Sequence, residues 1–93
     1  MKKKQLGCIK DLNVLNYKII KQQVRSDGQS VCMCSMENDS AVLIAHVGGD
    51  GHIINSQVYV LTPDNKKKIT KAALSTYRKW SNLLMILQLG DNI

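Results

Sequence analysis

The stretch of sequence that decides the fold is residues 30–51, SVCMCSMENDSAVLIAHVGGDG. It contains two apolar runs, Ser30–Met36 and Ala41–Val47, separated by the polar residues 38–40 and followed by the glycine-rich residues 48–51. Short apolar runs bounded by Asn, Asp, Ser and Gly are typical of β-strands joined by tight turns. The stretch therefore predicts two adjacent strands of an antiparallel sheet.

Further strands are predicted on both sides of this pair. His52–Leu61 follows the glycine-rich turn and predicts the next strand of a meander. Upstream, Asp27-Gly28 suits a two-residue hairpin turn that would join Tyr17–Arg25 to Ser30–Met36. Apolar residues between 12 and 20 also fit a helical stripe capped by Asp11, so two orders remain open, β-β-β-β-α and α-β-β-β-α, and the strand is favoured.

The C-terminal third predicts a long amphipathic helix. Thr62-Pro63-Asp64 offers an N-cap hydroxyl, a proline suited to the first helical turn and an acid near the positive helix end. Gly90 can end the helix, although Leu83–Leu89 also fits a short buried strand if the helix stops at Ser81-Asn82. Apolar residues at three- and four-residue steps predict one buried stripe, formed by Ile69, Ala72, Ala73, Tyr77, Trp80, Leu83, Leu84 and Leu87.

These elements predict an α+β fold, an antiparallel β-meander of three to four strands packed by a long C-terminal amphipathic helix. A chain of 93 residues closes one hydrophobic core, so residues 1–93 are expected to form a single domain with residues 1–5 as a flexible basic tail. Ser30–Met36 and Ala41–Val47 are apolar on both faces, and one helix covers only one. The second face is expected to be covered by the N-terminal segment, by a second copy in a homodimer, or by a protein partner.

The apolar runs and the cysteines bear on the cellular compartment. Leu83–Leu87 is the longest apolar run and is far shorter than the ~20 residues of a membrane span. The lysines at positions 2–4 are not followed by the apolar core of a signal peptide. Three cysteines leave one thiol unpaired in a monomer, which fits a reducing compartment. We therefore expect a cytoplasmic protein without membrane association.

Neither a metal site nor a catalytic site is predicted. The candidate metal ligands are Cys32 and Cys34 together with Cys8, His46 and His52, but single spacing of two cysteines does not match the C-x-x-C pattern of structural zinc sites. Buried thiols without metal or another cofactor are expected instead. The glycine-rich turn lacks the Gly-Lys-Ser/Thr of a phosphate loop, and no nucleophile motif occurs, so the chain is not expected to be an enzyme.

The charge of the chain points to an anionic partner. Thirteen Lys and Arg against seven Asp and Glu give a formal charge of +6, which favours nucleic acid, an anionic membrane or an acidic protein. Several of these cations crowd the first turns of the predicted helix, where the macrodipole disfavours positive charge. A solvated helix start or an anionic partner can explain this crowding. The predicted nucleic-acid-binding residues are Lys66, Lys67, Lys68, Lys71, Arg78 and Lys79.

The start of the predicted helix is also similar to a known family. Residues 67–73, KKITKAA, open a C-terminal helix after three strands and resemble the helix start of double-stranded RNA-binding domains. The resemblance implies that the lysines lie over duplex phosphates. It is limited to these residues, because the Gly-Pro-x-His loop of that family has no counterpart at residues 38–40.

Two classes of function follow. The chain has one Trp, three Tyr and no Phe, which disfavours stacking on single-stranded bases, so duplex or structured RNA is the favoured ligand of a non-enzymatic binding module. The alternative is a small protein-protein effector or inhibitor, of phage or mobile-element type, that binds an acidic surface of a host protein.

Overall fold

A computed structural model of the chain describes Cys8, Leu12 and residues 16–36 and 38–91, with helix side chains described up to Leu84. Its four strands form one antiparallel sheet in sequence order, followed by one long helix. The predicted α+β meander is confirmed, and the region in doubt before the hairpin is a strand. Residues 1–5, the predicted tail, lie outside the described residues. The elements are β1 (Tyr17–Val24), β2 (Ser30–Met36), β3 (Ala41–Val47), β4 (Ile53–Val60) and α1 (Lys66–Asp91).

The β1–β2 hairpin has a three-residue loop and not the predicted two-residue turn. The Arg25 amide donates to the carbonyl of Gln29 at 2.7 Å, and the Gly28 amide donates to the carbonyl of Arg25 at 3.0 Å. Gly28 has a φ of 90°, whereas Asp27 is not among the residues with positive φ. A two-residue type I′ turn needs positive φ at both central residues, so the loop takes the longer form with glycine in the left-handed position.

The glycine-rich residues 48–51 form the predicted hairpin turn between β3 and β4. The Gly48 amide donates to the carbonyl of His52 at 2.8 Å, and the Gly51 amide donates to the carbonyl of Gly48 at 3.0 Å. Gly51 has a φ of 88°, which glycine adopts without steric cost. The positive φ of this hydrogen-bonded turn explains why position 51 is a glycine.

The helix begins later than predicted, because Thr62-Pro63-Asp64 forms a turn ahead of it. The amide of Asn65 donates to the carbonyl of Thr62 at 3.2 Å, and the Thr62 hydroxyl donates to Asn65 Oδ1 at 2.6 Å. The first helical hydrogen bond runs from the Ile69 amide to the carbonyl of Asn65, at 2.9 Å. Asn65 therefore takes the N-cap position that Thr62 was expected to hold.

The helix is continuous from Lys66 to Asp91, so the predicted long helix forms, the alternative stop at Ser81-Asn82 does not occur, and Gly90 lies within the last turn. A helix of 26 residues is about 39 Å long at 1.5 Å per residue. Among the described residues, no helix is long and apolar enough to cross a membrane.

The helix buries a slightly different stripe from the one predicted. Ala73 and Leu84 are buried, and Tyr77 and Trp80 pack beside them, as expected. Two further predictions were wrong, because Ala72 and Leu83 are exposed. Their places at the sheet are taken by Ser81, which is buried, and by the half-buried Leu74. Leu87 lies beyond the described side chains.

The sheet has an apolar core on each of its two sides. On the helix side, Val31, Met33, Val42 and Ile44 pack against α1. On the opposite side, called the far side here, the core is formed by Leu12, Cys32, Cys34, Leu43, Ala45 and Val47. Leu12 is only 2% exposed, so a residue of the N-terminal segment forms part of this core. The centre of the far side is thus buried within one chain, which removes the predicted need for a second copy there.

The margins of the far side remain exposed. Ile19 of β1 pairs with Cys34 of β2, and Val58 of β4 pairs with Leu43 of β3. Both side chains therefore point to the far side. Val60 lies opposite Ala41 and shares that direction. All three are exposed apolar side chains, and they are found on the two edge strands of the sheet.

Candidate nucleic-acid interface

The six cations predicted to bind nucleic acid are all exposed side chains of α1, but they lie on three different faces of the helix. Residues 66, 69, 73, 77, 80 and 84 recur at three- and four-residue steps and form the stripe that faces the sheet. Lys66 belongs to this stripe. Its Nζ lies 3.4 Å from Asp39 Oδ2 in the β2–β3 turn, so its charge is matched within the chain.

The remaining cations divide between one flank of the helix and its outward face. Lys67, Lys71 and Arg78 share one flank with Leu74 and Ser81, because these residues follow one another at steps of four, three, four and three. Lys68 and Lys79 are eleven positions apart, about three helical turns, so they share a direction that points away from the sheet. Thr76 lies on the second flank. The predicted grouping of Lys67, Lys71 and Arg78 on one face follows from this spacing on the observed helix.

Two hydrogen bonds show which strand each flank faces. The buried Ser81 hydroxyl donates to Gln23 Oε1 at 3.1 Å, which turns its flank toward β1. On the other flank, Thr76 Oγ1 donates to the Ala72 carbonyl at 3.1 Å, and the Tyr59 hydroxyl lies 2.6 Å from Thr76 Oγ1. Lys67, Lys71 and Arg78 therefore lie on the flank nearer β1, whereas Lys68 and Lys79 point away from the sheet.

A surface depression of about 700 Å³ lies against the first turns of the helix. It is lined by Lys66, Lys67, Lys68, Thr70, Lys71 and Leu74. Lysine ammonium groups around an open depression favour an anion, because long flexible side chains place point charges where a ligand needs them.

Two lysines that the sequence reasoning missed lie on the same side of the sheet. Lys18 pairs with Ser35 and Lys21 pairs with Met33, with a register shift between Ile19 and Lys21. Met33 packs in the core beneath the helix, and side chains paired across strands point to the same side. Both lysines are exposed, and both point to the helix side. Regular alternation would have separated them, so only the irregular register reveals them.

Three of the described aspartates lie in the turns of the sheet, whereas Asp64 is exposed in the turn directly before α1. Asp39 is held by Lys66, and Asp27 Oδ1 accepts a hydrogen bond from the Gln29 amide at 3.0 Å inside the β1–β2 loop. Asp50 accepts a hydrogen bond from the His52 amide at 3.0 Å in the β3–β4 turn. From Lys66 to Leu84 the sequence contains no acid, so the helix carries an uncompensated positive potential.

The five candidate metal ligands are not brought together in one place, although Cys8 forms an antiparallel backbone bridge with His52. Cys32 and Cys34 belong to the far-side core, whereas His46 lies opposite Val31, on the helix side, with its ring centroid 6.4 Å from that of Trp80. His46 Nε2 donates to Gln29 Oε1 at 3.3 Å. His52 pairs with Asp50 at 3.1 Å in an exposed turn, where the carboxylate also caps the turn. Among the residues described, no three His, Cys, Asp or Glu side chains cluster as metal ligands.

The buried thiols are poor nucleophiles. Burial and, to a smaller extent, the nearby Cys32 thiol raise the pKa of Cys34 from 9.0 to about 12. Burial also raises the pKa of Cys32, whereas a hydrogen bond from Ser30 lowers it. Thiolates carry out cysteine chemistry, so these two residues act as small apolar side chains at neutral pH.

Comparison of the chain with protein-family models, with curated proteins and with solved structures finds no match.

Proposed function

We propose that the protein is a non-enzymatic module that binds the phosphates of nucleic acid through the exposed cations of α1, with duplex or structured RNA favoured. The observation that carries this proposal is the row formed by Lys67, Lys71 and Arg78. These cations line one flank of a helix that has no acid from Lys66 to Leu84. From Lys67 to Arg78 the row extends about 17 Å at 1.5 Å per residue.

The chemistry of the row favours backbone contacts over reading of bases. Lysine and arginine neutralise phosphates and release counterions, which gives affinity without sequence information. The aromatic rings near the helix, Tyr59, Tyr77 and Trp80, pack into the helix-side core, so they are not displayed for stacking on bases. The proposal places the protein in the cytoplasm, in keeping with the buried free thiols of Cys32 and Cys34.

The test is a fluorescence-anisotropy titration against duplex RNA, duplex DNA and single strands over a range of salt concentrations. Three to four phosphate contacts give a slope of log affinity against log salt of about −3 to −4 for a duplex. The variant K67E/K68E/K71E should lose binding and stay folded, since acids suit the first turns of a helix. If the triple variant is folded and binds as tightly as the parent, the lysines only solvate the start of the helix and the proposed function is wrong.

A second candidate function is protein binding through the edge strand β4. Its eight residues carry no charge, and Val58 and Val60 are 52% and 66% exposed. Edge strands of this kind accept a strand from another chain, whereas lysines and a register shift protect the other edge, β1. Cys8 forms an isolated antiparallel bridge with His52, just before β4, so a partner strand is expected along residues 55–60.

Two partners suit this edge. A second copy is the simpler one, because a neutral strand pairs with itself without charge repulsion. A host protein bound by a phage- or mobile-element effector is the other. Affinity capture with and without nuclease separates this candidate from the first: a protein retained after nuclease treatment supports strand addition, and loss of all partners supports nucleic-acid binding.

A further inference from the structure

The irregular register of β1 has a functional consequence. Lys18 and Lys21 are three positions apart, and in a regular strand such residues point to opposite sides of the sheet. The register shift between Ile19 and Lys21 inserts Ile20 as an extra residue, as in a β-bulge. It brings both lysine side chains to the helix side of the sheet.

The two lysines of β1 lie on the helix side of the sheet, and the other row of cations lies on the flank of α1 nearer β1. Gln23 and Ser81 are hydrogen-bonded, which sets these two positions level. At the other end of the sheet, Lys66 at the helix start contacts Asp39 in the β2–β3 turn. Residue 17 of β1 pairs with Met36, next to the same turn. The strand and the helix therefore run in the same direction.

The heights of the cations follow from this alignment. Lys21 is two residues before Gln23, about 7 Å along the strand at 3.3 Å per residue. The same distance along the helix is about four residues, which reaches the turn between Leu74 and Arg78. Lys18 pairs with Ser35 and Gln23 pairs with Val31, four positions apart on β2. Lys18 and Gln23 are therefore about 13 Å apart along the strand direction, which puts Lys18 level with Lys71.

The geometry points to a cationic groove with two walls, and we propose that the phosphodiester backbone of a nucleic-acid strand lies lengthwise in it. One wall is Lys67, Lys71 and Arg78 of α1, and the other is Lys18 and Lys21 of β1. This inference rests on the proposed function and adds a second element to the site. Like charges on facing walls repel, and a row of phosphates between them removes that repulsion. A linear polyanion matches two parallel rows better than a single anion does.

Edge protection is a competing role for the same features, because lysines and bulges also prevent unwanted strand pairing. That role predicts no effect of Lys18 or Lys21 on nucleic-acid affinity. The two roles are therefore separable by binding measurements on folded variants.

The experiment compares K18Q, K21Q and K18Q/K21Q with the charge-matched control Q22E. Gln22 is exposed and lies opposite Cys32, so it points to the far side of the same strand. Binding of a short labelled RNA duplex is followed by anisotropy over a salt series, with circular dichroism and urea unfolding as checks of the fold. Each Lys→Gln change should weaken binding about five-fold at 0.15 M salt, since one phosphate contact contributes about 0.9 to the salt slope.

The double variant should lower the magnitude of the slope by about 1.8, and Q22E should change affinity less than two-fold. Equal effects of K18Q and Q22E would show a general charge effect and overturn the groove. Unchanged RNA binding with weakened binding to polyglutamate would overturn it in favour of an acidic protein. If K67Q/K71Q loses binding and K18Q/K21Q does not, the proposed function is supported and Lys18 and Lys21 do not form part of the site. If neither variant changes binding, both fall.

Discussion

The Ser81 hydroxyl donates a hydrogen bond to the side-chain amide oxygen of Gln23 at 3.1 Å, and it joins residues that are 58 positions apart. Ser81 is buried at the helix surface, whereas Gln23 lies on the edge strand β1. The contact fixes the rotation of α1 about its own axis. It therefore decides which cations face β1.

A double-mutant cycle tests this contact. Ser81→Ala should lower the free energy of unfolding by about 1 to 2 kcal/mol, because a partly buried amide loses its partner. Gln23→Ala should have a smaller effect, and the double variant should show a coupling of about 0.5 to 1.5 kcal/mol. Urea unfolding measures all three. Strict additivity of the two single changes would mean that the hydrogen bond contributes nothing.

The flank of the helix nearer β1 and its outward face are expected to differ in binding. K67Q/K71Q and K68Q/K79Q each remove two positive charges from exposed positions of α1. The first pair should weaken RNA binding about 30-fold at 0.15 M salt, from two contacts that each contribute about 0.9 to the salt slope. The second pair should weaken it less than five-fold. Equal losses would indicate attraction to the whole helix without a preferred flank.

Leu12 is expected to be a main contributor to stability. Its side chain is buried against the far-side core with Cys32, Leu43 and Val47. Leu12→Ala should cost about 2 to 4 kcal/mol through lost burial and the cavity left behind. Ile20→Ala, at an exposed site, is the control and should change the free energy of unfolding little. An unchanged urea midpoint for the Leu12 variant would contradict the packing.

Stability should fall at alkaline pH. The pKa of Cys34 is raised from 9.0 to about 12 in the fold, so between these values the unfolded chain binds fewer protons. The contribution of Cys34 to the free energy of unfolding is complete below pH 9. It decreases as pH rises toward 12, by at most about 1.4 kcal/mol per pH unit. Burial raises the pKa of Tyr17 and Tyr77 too, which adds to the loss. Cys34→Ala should make the decrease in urea midpoint above pH 9 less steep. A decrease as steep as that of the parent would show that Cys34 does not cause the loss of stability.

Strand addition at β4 gives a testable oligomeric state. If a second copy pairs along residues 55–60, light scattering at high concentration should report a dimer, and Val58→Lys should convert it to a monomer. Val24→Lys is the matched control, since Val24 is an exposed valine on the other edge strand, opposite Ser30. A monomeric parent at all concentrations would leave a different protein as the only partner for this edge.

Local sequence patterns predict much of the architecture. The strands β2 and β3 have the predicted bounds, because turn-forming residues end each apolar run on both sides. The three- and four-residue spacing of apolar residues predicted α1, since the periodicity of a helix is a property of the chain itself. The grouping of Lys67, Lys71 and Arg78 is readable for the same reason.

Other features depend on contacts between distant residues, which no local pattern specifies. Leu12 covers the far side through packing against strands more than 19 positions away. Lys18 and Lys21 share a side only because the pairing of β1 with β2 shifts at Ile20. Sequence periodicity fixes the faces of single elements, whereas register and packing decide which faces meet.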